Sequence, residues 1–272
     1  MIRLAIRVRR ADAELVLAEL LTLAPSGVEE VEVSEGVVEY AVYGPPGELP
    51  SLPDVRVAAG GALVEVTTSE VADDWAERWR SFHRPLVLGE RLVVRPPWCA
   101  PIPGAAVDLV IDPGRAFGTG AHATTRLCLE LLLDLPAAGD ALDLGCGSGV
   151  LAIAAARLGW APVLALDHDP LAVEAARENA RVNGVPIEVR RHDLRQSVVP
   201  GAALVLANLL RPLLLAWAGS IAEPPGLVIA SGLLAEEADE VARAFASHGL
   251  DERDRRAHGE WAALLLSAHD RG

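Results

Sequence analysis

The sequence of 272 residues contains no lysine, so all 24 of its basic residues are arginines. Codon bias is the simplest cause, because glycine and proline are also frequent, with 24 and 19 residues. Whatever the cause, an enzyme that modifies lysine side chains would find none in its own chain.

Cysteine is also scarce. The three cysteines, Cys99, Cys128 and Cys146, are odd in number and lie far apart. This arrangement fits neither a disulfide framework nor a zinc site, so we expect reduced thiols, no bound metal and a cytoplasmic protein.

Long apolar runs and an excess of positive charge are missing as well. No run is long enough to span a bilayer, and the first ten residues alternate instead of forming the apolar core of a signal peptide. Acidic residues number 38, which gives a net charge of −14. Because phosphate contacts need a basic face, we expect no membrane or direct nucleic-acid binding and instead an attraction to a basic partner.

The first part of the chain has the pattern of a small α+β domain, residues 1–67. Alternating apolar residues predict strands, and apolar residues at helical spacing predict one helix. The segment 45–61, PPGELPSLPDVRVAAGG, is rich in proline and glycine and predicts a loop. The predicted elements are a strand at 2–8, a helix at 12–23, a hairpin that turns at 34–36, and a strand at 62–67.

Residues 68–105 predict a packed linker. A helix at 70–82 would place Trp75 and Trp79 on one face, a spacing that is more typical of buried packing than of a ligand site. A short hairpin at 86–94 would turn at Gly89.

Residues 106–272 alternate between apolar strands and amphipathic helices, which predicts a parallel sheet covered on both faces. The last two strands, at 250–255 and 259–267, predict a hairpin at one edge. The remaining predictions are strands at 141–144, 163–166, 187–189, 203–207 and 227–230, and helices at 150–158, 170–182, 211–221 and 235–246.

A glycine-rich turn, LDLGCGSG, lies at the first strand-to-helix junction of this region. Gly145 and Gly147 let the backbone approach a ligand beside a helix N-terminus, and Asp167, at the next strand end, is placed to bind ribose hydroxyls. Asp143, just before the glycines, would repel a pyrophosphate but suits a ligand that carries an amine and a sulfonium. The third glycine of the dinucleotide fingerprint is absent, so the turn predicts S-adenosylmethionine instead of NAD.

Two further polar residues follow predicted strands. Asp193 is placed to bind the adenine amine, or it is simply solvated. Asn208, at the carboxyl end of a parallel strand, faces the ligand crevice or caps the next helix, and both roles are compatible.

The segment 112–125, DPGRAFGTGAHATT, precedes the helix that leads to the ligand-binding strand. Its glycines and polar residues predict a lid over the ligand, in which Phe117, Gly118 and Thr119 contact the cofactor and Thr125 begins the helix. His122 is a lone loop histidine, which more often makes local hydrogen bonds than acts as a base.

These motifs, together with VLANLL and GEWAALLL, resemble the ribosomal protein L-eleven methyltransferase family (PrmA type) over about residues 73–267. The resemblance implies a Rossmann-like class I methyltransferase sheet and a small ferredoxin-like, substrate-recruiting domain. It also implies that Thr125, Gly145, Asp167 and Asn208 contact the cofactor. Longer family members carry a helix between the third and fourth N-terminal strands, where this sequence predicts only a loop.

The expected activity is transfer of methyl groups from S-adenosylmethionine to lysine or N-terminal amines of a lysine-rich ribosomal protein, with Asn208 as the catalytic residue. Related enzymes that methylate amide or adenine nitrogens carry Asn-Pro-Pro-aromatic where this chain has Asn208-Leu209-Leu210. That difference argues against flat conjugated acceptors. Two alternatives stay open: a methyltransferase for another protein or a small metabolite, and a non-catalytic module that binds S-adenosylmethionine.

Overall fold

The structure is a computed structural model that describes residues 2–23, 28–34, 36–44, 49–70, 84–112, 122–195 and 198–269. The chain divides into two units, Met1–Phe82 and His83–Gly272. This division falls inside the segment that the sequence predicts as a linker. Among the described residues, no helix combines the length and the apolar character needed to cross a bilayer.

The first unit is a four-stranded antiparallel sheet with the strand order β2-β3-β1-β4. Two helices connect the strands in the βαββαβ order of a ferredoxin-like domain, which confirms the predicted fold. The elements are β1 (Ile2–Arg9), α1 (Ala13–Leu23), β2 (Glu29–Ser34), β3 (Val37–Gly44), α2 (Leu52–Ala59) and β4 (Leu63–Glu70).

Helix α2 corrects the prediction of a continuous loop over residues 45–61. Ser51 caps the helix by accepting a hydrogen bond from the Asp54 amide at 3.3 Å. Pro53 lies in the first turn, where the absence of an amide hydrogen costs nothing. Val55 and Ala59, one turn apart, are buried against the sheet core. The chain therefore has a helix between the third and fourth strands, as the longer members of the similar family do, where the sequence predicted only a loop.

The core of the first unit lies between the sheet and its helices. Alternate residues of β1, namely Leu4, Ile6 and Val8, pack against α1 and α2 in this core. The other face of β1 carries Arg3 and Arg7.

The second unit begins with a small three-stranded sheet, β5 (Leu86–Leu88), β6 (Leu92–Arg95) and β7 (Val107–Val110). Strands β5 and β6 form the predicted hairpin, with Gly89 at a φ of +59°. Leu92, Val94 and Leu109 pack into the core of the second unit. Most of the predicted helix at 70–82, including Trp75 and Trp79, lies outside the described residues.

The main sheet has seven strands in the order β10-β9-β8-β11-β12-β14-β13. The first five are parallel, and β14 is antiparallel to both of its neighbours. The elements are α3 (Ala123–Leu133), β8 (Ala141–Leu144), α4 (Val150–Arg157), β9 (Val163–Asp167), α5 (Pro170–Asn183), β10 (Ile187–Arg191), β11 (Leu204–Asn208), α6 (Arg211–Ala218), β12 (Leu227–Leu234), α7 (Ala238–Ala246), β13 (Leu250–His258) and β14 (Trp261–Ala268).

Helices cover both faces of this sheet, as the apolar strands predict. Alternate residues of β8 enter different cores: Ala141 packs with α3, α4 and α5, whereas Leu142 and Leu144 pack with α6 and α7. The chain leaves β8 toward β9 on one side and later returns to β11 on the other. Such a switch in strand order opens a crevice at the carboxyl ends of the strands, where ligands bind in open α/β sheets.

Candidate active site

The glycine turn lies at the carboxyl end of β8, beside the switch in strand order. Gly145, Gly147 and Gly149 have φ values of +69°, +52° and +80°, which favour glycine. The Gly145 and Cys146 amides donate to the Leu166 carbonyl at 2.8 and 3.0 Å. A Cβ atom on Gly145 would lie 2.4 Å from Leu209 Cδ2. The backbone conformation of the turn therefore favours glycine, and a larger residue at position 145 would also require the Leu209 side chain to move.

Asp167 is hydrogen-bonded to the glycine turn. Its Oδ2 accepts from the Gly147 amide at 2.9 Å, and its Oδ1 accepts from the Asp169 amide at 3.0 Å. The residue is 8% exposed, at the end of β9. A carboxylate offers about four acceptor positions, so acceptor capacity remains for ligand hydroxyls.

Asp143 lies beneath the turn instead of facing a ligand. It is 1% exposed, and its Oδ2 accepts from the Ala152 amide of α4 at 3.0 Å. Burial, together with the nearby charge of Asp167, raises the pKa of its carboxyl to about 7, although the hydrogen bond from the Ala152 amide acts in the opposite direction. This corrects the expectation that Asp143 meets the ligand cation directly, because the alternation of β8 turns this side chain toward α4.

Thr125 and Asn208 lie together although they are 83 positions apart in sequence. Asn208 Nδ2 donates to Thr125 Oγ1 at 3.4 Å, and Thr125 is 1% exposed in the first turn of α3. The residue that caps α6 is Leu210. Of the two roles that the sequence left open for Asn208, the structure removes the helix cap and leaves the side chain at the strand end.

A pocket of about 230 Å³ brings Gly145, Asp167 and Asp193 together. Asp193 Oδ1 accepts from both the backbone amide and Nε of Arg195 at 3.0 Å. Asp193 therefore lies at the pocket wall in an ion pair with the exposed Arg195, and its role in binding the adenine amine stays a prediction. The other lining residues are His168, His192, Leu194, Arg195, Leu209 and Leu213.

A larger groove of about 550 Å³ lies at the opposite, amino edge of the same strands. Pro162, Pro186 and Pro200 are among its lining residues, and none of the predicted site residues contributes to it. We place the functional site at the smaller pocket, because it contains the glycine turn and the strand-end carboxylates.

His122 has the local role that the sequence predicts. Its Nδ1 accepts from the Thr124 amide at 3.3 Å and so caps α3. The ring packs edge-on against Trp261, with centroids 4.8 Å apart. Burial lowers the pKa of the His122 imidazole. Phe117, Gly118 and Thr119, and with them most of the predicted lid at 112–125, lie outside the described residues.

Gly232 contacts Leu209, a residue that lines the pocket, and the sequence patterns did not predict this contact. It lies in β12 with a φ of +85°, and a Cβ atom there would lie 2.4 Å from the Leu209 carbonyl oxygen. The Leu209 amide donates to the Ser231 carbonyl at 2.9 Å. An isolated glycine inside a strand, as in the sequence around Gly232, is the signal that could have indicated such a close backbone approach.

Comparison with known proteins identifies the family of this chain. A family model described as ribosomal protein L11 methyltransferase (PrmA) matches residues 54–269. The chain is 43% identical over 201 residues to the ribosomal protein L11 methyltransferase of Heliobacterium modesticaldum, covering 71% of this chain but only 63% of that relative. It is 46% identical over 204 residues to that of Geobacter metallireducens, covering 72% of this chain and 67% of the relative.

A solved structure leads to the same conclusion. The ribosomal protein L11 methylase from Lactobacillus delbrueckii subsp. bulgaricus is 31% identical, with a TM-score of 0.60 over 68% of this chain and 99% of that chain. The larger unit has the sheet order and the strand-end glycine turn of class I methyltransferases. The chain belongs to the ribosomal protein L11 methyltransferase (PrmA) family.

Proposed function

We propose that this chain transfers methyl groups from S-adenosylmethionine to amines of ribosomal protein L11, on lysine side chains, at the N-terminus, or both. The relatives are named as L11 methyltransferases and match most of the chain. The single observation that carries the proposal is the hydrogen bond from the Gly147 amide to Asp167, which fixes a glycine turn and a carboxylate at one pocket.

The residues at this pocket fit S-adenosylmethionine. When bound, this cofactor supplies a methyl group on a positively charged sulfur. Asp167 would accept hydrogen bonds from the ribose hydroxyls, and Gly145 and Gly147 let the backbone approach the ligand. Asp193 would lie at the adenine end of the pocket. Thr125 and Asn208 complete the proposed set of described cofactor residues, and Phe117, Gly118 and Thr119 stay predictions.

The acceptor amine has to be neutral before it can attack. A lysine amine has a pKa of about 10.4 in water, and apolar surroundings lower that pKa because they disfavour the charged form. Asn208 has a neutral amide whose oxygen accepts from no described residue, so it would accept a hydrogen bond from the amine. The neighbouring Leu209 lines the pocket and contributes the apolar surroundings.

No strong base is needed for this reaction, and two acid–base candidates near the site have other roles. His122 caps α3, and its pKa is lowered by burial. Asp143 is 1% exposed and bonded to α4. Positioning and desolvation of the amine would therefore provide most of the rate enhancement.

We further propose that residues 1–67 recruit a lysine-rich substrate through the acidic hairpin of β2 and β3. Glu29 and Glu30 are exposed there. Glu39, in β3, is 6% exposed and pairs with Arg3 and Arg7 at 2.5 and 2.8 Å. Glu39 therefore belongs to the sheet and not to the docking surface.

Transfer of isotope-labelled methyl groups tests the proposal. We expect label in L11 when the full chain is mixed with L11, other basic proteins, ribosomal RNA and a panel of small metabolites. Label in a metabolite or in a different protein would replace the proposed substrate. Binding of cofactor without transfer to any acceptor would identify a non-catalytic module, and label in RNA would overturn the proposed exclusion of nucleic acid.

A further inference from the structure

Helix α5 contacts two parts of the proposed cofactor site. Its cap, Asp169, donates its amide to Asp167 and accepts from the Leu171 amide at 2.9 Å. In its middle, Ala176 lies against the glycine turn, since a Cβ atom on Gly149 would come within 3.0 Å of Ala176 Cβ. Helix α5 therefore contacts both the glycine turn and Asp167, the carboxylate that we propose binds ribose.

The C-terminal half of α5 carries a buried asparagine that reaches the glycine turn and one strand end. Asn179 is 3% exposed. Its Nδ2 donates to the Ser148 carbonyl, within the turn, at 2.9 Å. Its Oδ1 accepts from the amide of Asp112, two residues beyond the end of β7, at 3.0 Å. One side chain therefore ties the strand end to the backbone next to Gly147.

Asn183, one helical turn further along α5, offers a matched comparison. Its Oδ1 accepts from the Val110 amide at 2.9 Å, and its Nδ2 donates to the Val110 carbonyl at 2.7 Å. Its Nδ2 also donates to the Asn179 carbonyl at 2.8 Å. Asn183 thus holds the same strand to the same helix, but it has no hydrogen bond to the glycine turn.

We propose that Asn179 is a positioning residue for cofactor binding. It holds the Ser148 carbonyl in place and thereby restrains the short stretch of backbone that begins at Gly147, whose amide donates to Asp167. Only a side chain with a donor and an acceptor can make both of its bonds, and an amide meets that requirement. The inference rests on the proposed function, because it concerns the affinity of the same crevice for S-adenosylmethionine.

Calorimetric titration of the full chain with S-adenosylhomocysteine, the demethylated product, tests this role. Asn179→Ala should bind the product about tenfold more weakly than the wild type, the effect expected for loss of one hydrogen bond. Asn183→Ala should bind within about twofold of the wild type, although it also loses buried hydrogen bonds. Thermal unfolding of both variants shows how much of each effect is general loss of stability.

A second variant separates the two bonds of Asn179. Asn179→Asp keeps an acceptor for the Asp112 amide but loses the donor to Ser148. Hydrogen exchange at Asp112 should therefore stay as slow as in the wild type, whereas the affinity for S-adenosylhomocysteine should fall as in Asn179→Ala. If Asn179→Ala does not fold, the affinity of Asn179→Asp for S-adenosylhomocysteine, compared with that of Asn183→Ala, tests the proposed role of Asn179.

Two results would overturn the inference: wild-type affinity in both Asn179 variants, or equal losses of affinity in Asn179→Ala and Asn183→Ala. Failure of the wild-type chain itself to bind S-adenosylhomocysteine would instead overturn the proposed function. The wild-type titration and the ratio between variants therefore distinguish the two failures.

Discussion

Asp167 uses each of its two oxygens within the protein, one for the Gly147 amide and one for the Asp169 amide. These two bonds hold the carboxylate at the strand end, where His168 Nδ1 lies 3.3 Å from its Oδ1. Acceptor positions remain for a ligand, which is why we expect ribose hydroxyls to bind there.

Asp167→Ala should weaken binding of S-adenosylhomocysteine by about 1.5–3 kcal/mol for each ribose hydrogen bond that is lost. Calorimetric titration measures the effect. Glu174→Ala is the control, because it removes an exposed carboxylate of the same helix α5. That change should leave the affinity near that of the wild type, because surface substitutions usually have effects within about 0.5 kcal/mol. Wild-type affinity in Asp167→Ala would show that another group binds the ribose.

Asp143→Asn should make the protein more stable at neutral pH. The folded-state pKa of about 7 lies above the usual 3.8, so the folded chain holds a proton that the unfolded chain releases between these values. The contribution of Asp143 to stability therefore falls as pH rises through this window, by on the order of 4 kcal/mol. The asparagine can still accept from the Ala152 amide.

Urea unfolding of both proteins between pH 4 and pH 9 checks this expectation. The stability difference between Asp143→Asn and the wild type should grow with pH and become constant above pH 8. A difference that does not change with pH would mean that Asp143 is ionised in the folded protein throughout this range.

At the scale of elements, the strand end that carries Asn208 is held between two glycines. Gly145 gives room to the Leu209 side chain, and Gly232 gives room to the Leu209 backbone. Strand β12 shifts its pairing with β14 between Ser231 and Leu233, so Gly232 lies at a bulge. Bulges often occur beside active sites, where they change the direction of a segment.

Gly232→Ala should displace the backbone that follows Asn208 and lower both stability and methyl transfer. The added Cβ atom would meet the Leu209 carbonyl oxygen at 2.4 Å, in a backbone conformation that already strains an L-residue. Gly104→Ala is the control, since its φ of +92° is similar and no atom lies within 4 Å of the added Cβ. Equal stability and equal kcat in the two variants would contradict the proposed role of this contact.

Local signals in the sequence are sufficient to predict the glycine turn, Asp167, the parallel strands and the terminal hairpin. Each of these depends on residue types and spacings within a short segment. Helix α2 is missed because it has only two buried positions, Val55 and Ala59, and lies in a segment rich in proline and glycine. The roles of Asn179 and Gly232 are missed because they depend on contacts with Ser148 and Leu209, which no local pattern reveals.

At the scale of the whole molecule, the net charge of −14 favours a basic partner. However, some of the acidic side chains are paired with arginines and cannot attract a basic partner. In the first unit, Glu39 is neutralised by Arg3 and Arg7, and its pKa is lowered chiefly by the hydrogen bond from Arg3. Because such pairs neutralise acidic residues, the number of acids in the β2–β3 hairpin overestimates the negative charge that a partner would meet there.

Reversing the exposed charges of the hairpin tests its role in recruitment. Glu29→Arg combined with Glu30→Arg should raise the KM for L11, leave the affinity for S-adenosylhomocysteine unchanged, and differ less from the wild type at high salt. The control reverses Glu223 and Glu236, two exposed acids of the second unit. The same rise in KM in the control would mean that net charge, and not the hairpin, attracts the substrate.

The measurement that tests the central claim most directly is mass spectrometry of L11 after incubation with the full chain and S-adenosylmethionine. We predict mass increases of whole methyl groups, located by fragmentation on lysine side chains, the N-terminal amine or both, and strongly reduced with the Asp167→Ala variant. Unmodified L11, or methyl groups on side chains without an amine, would contradict the account.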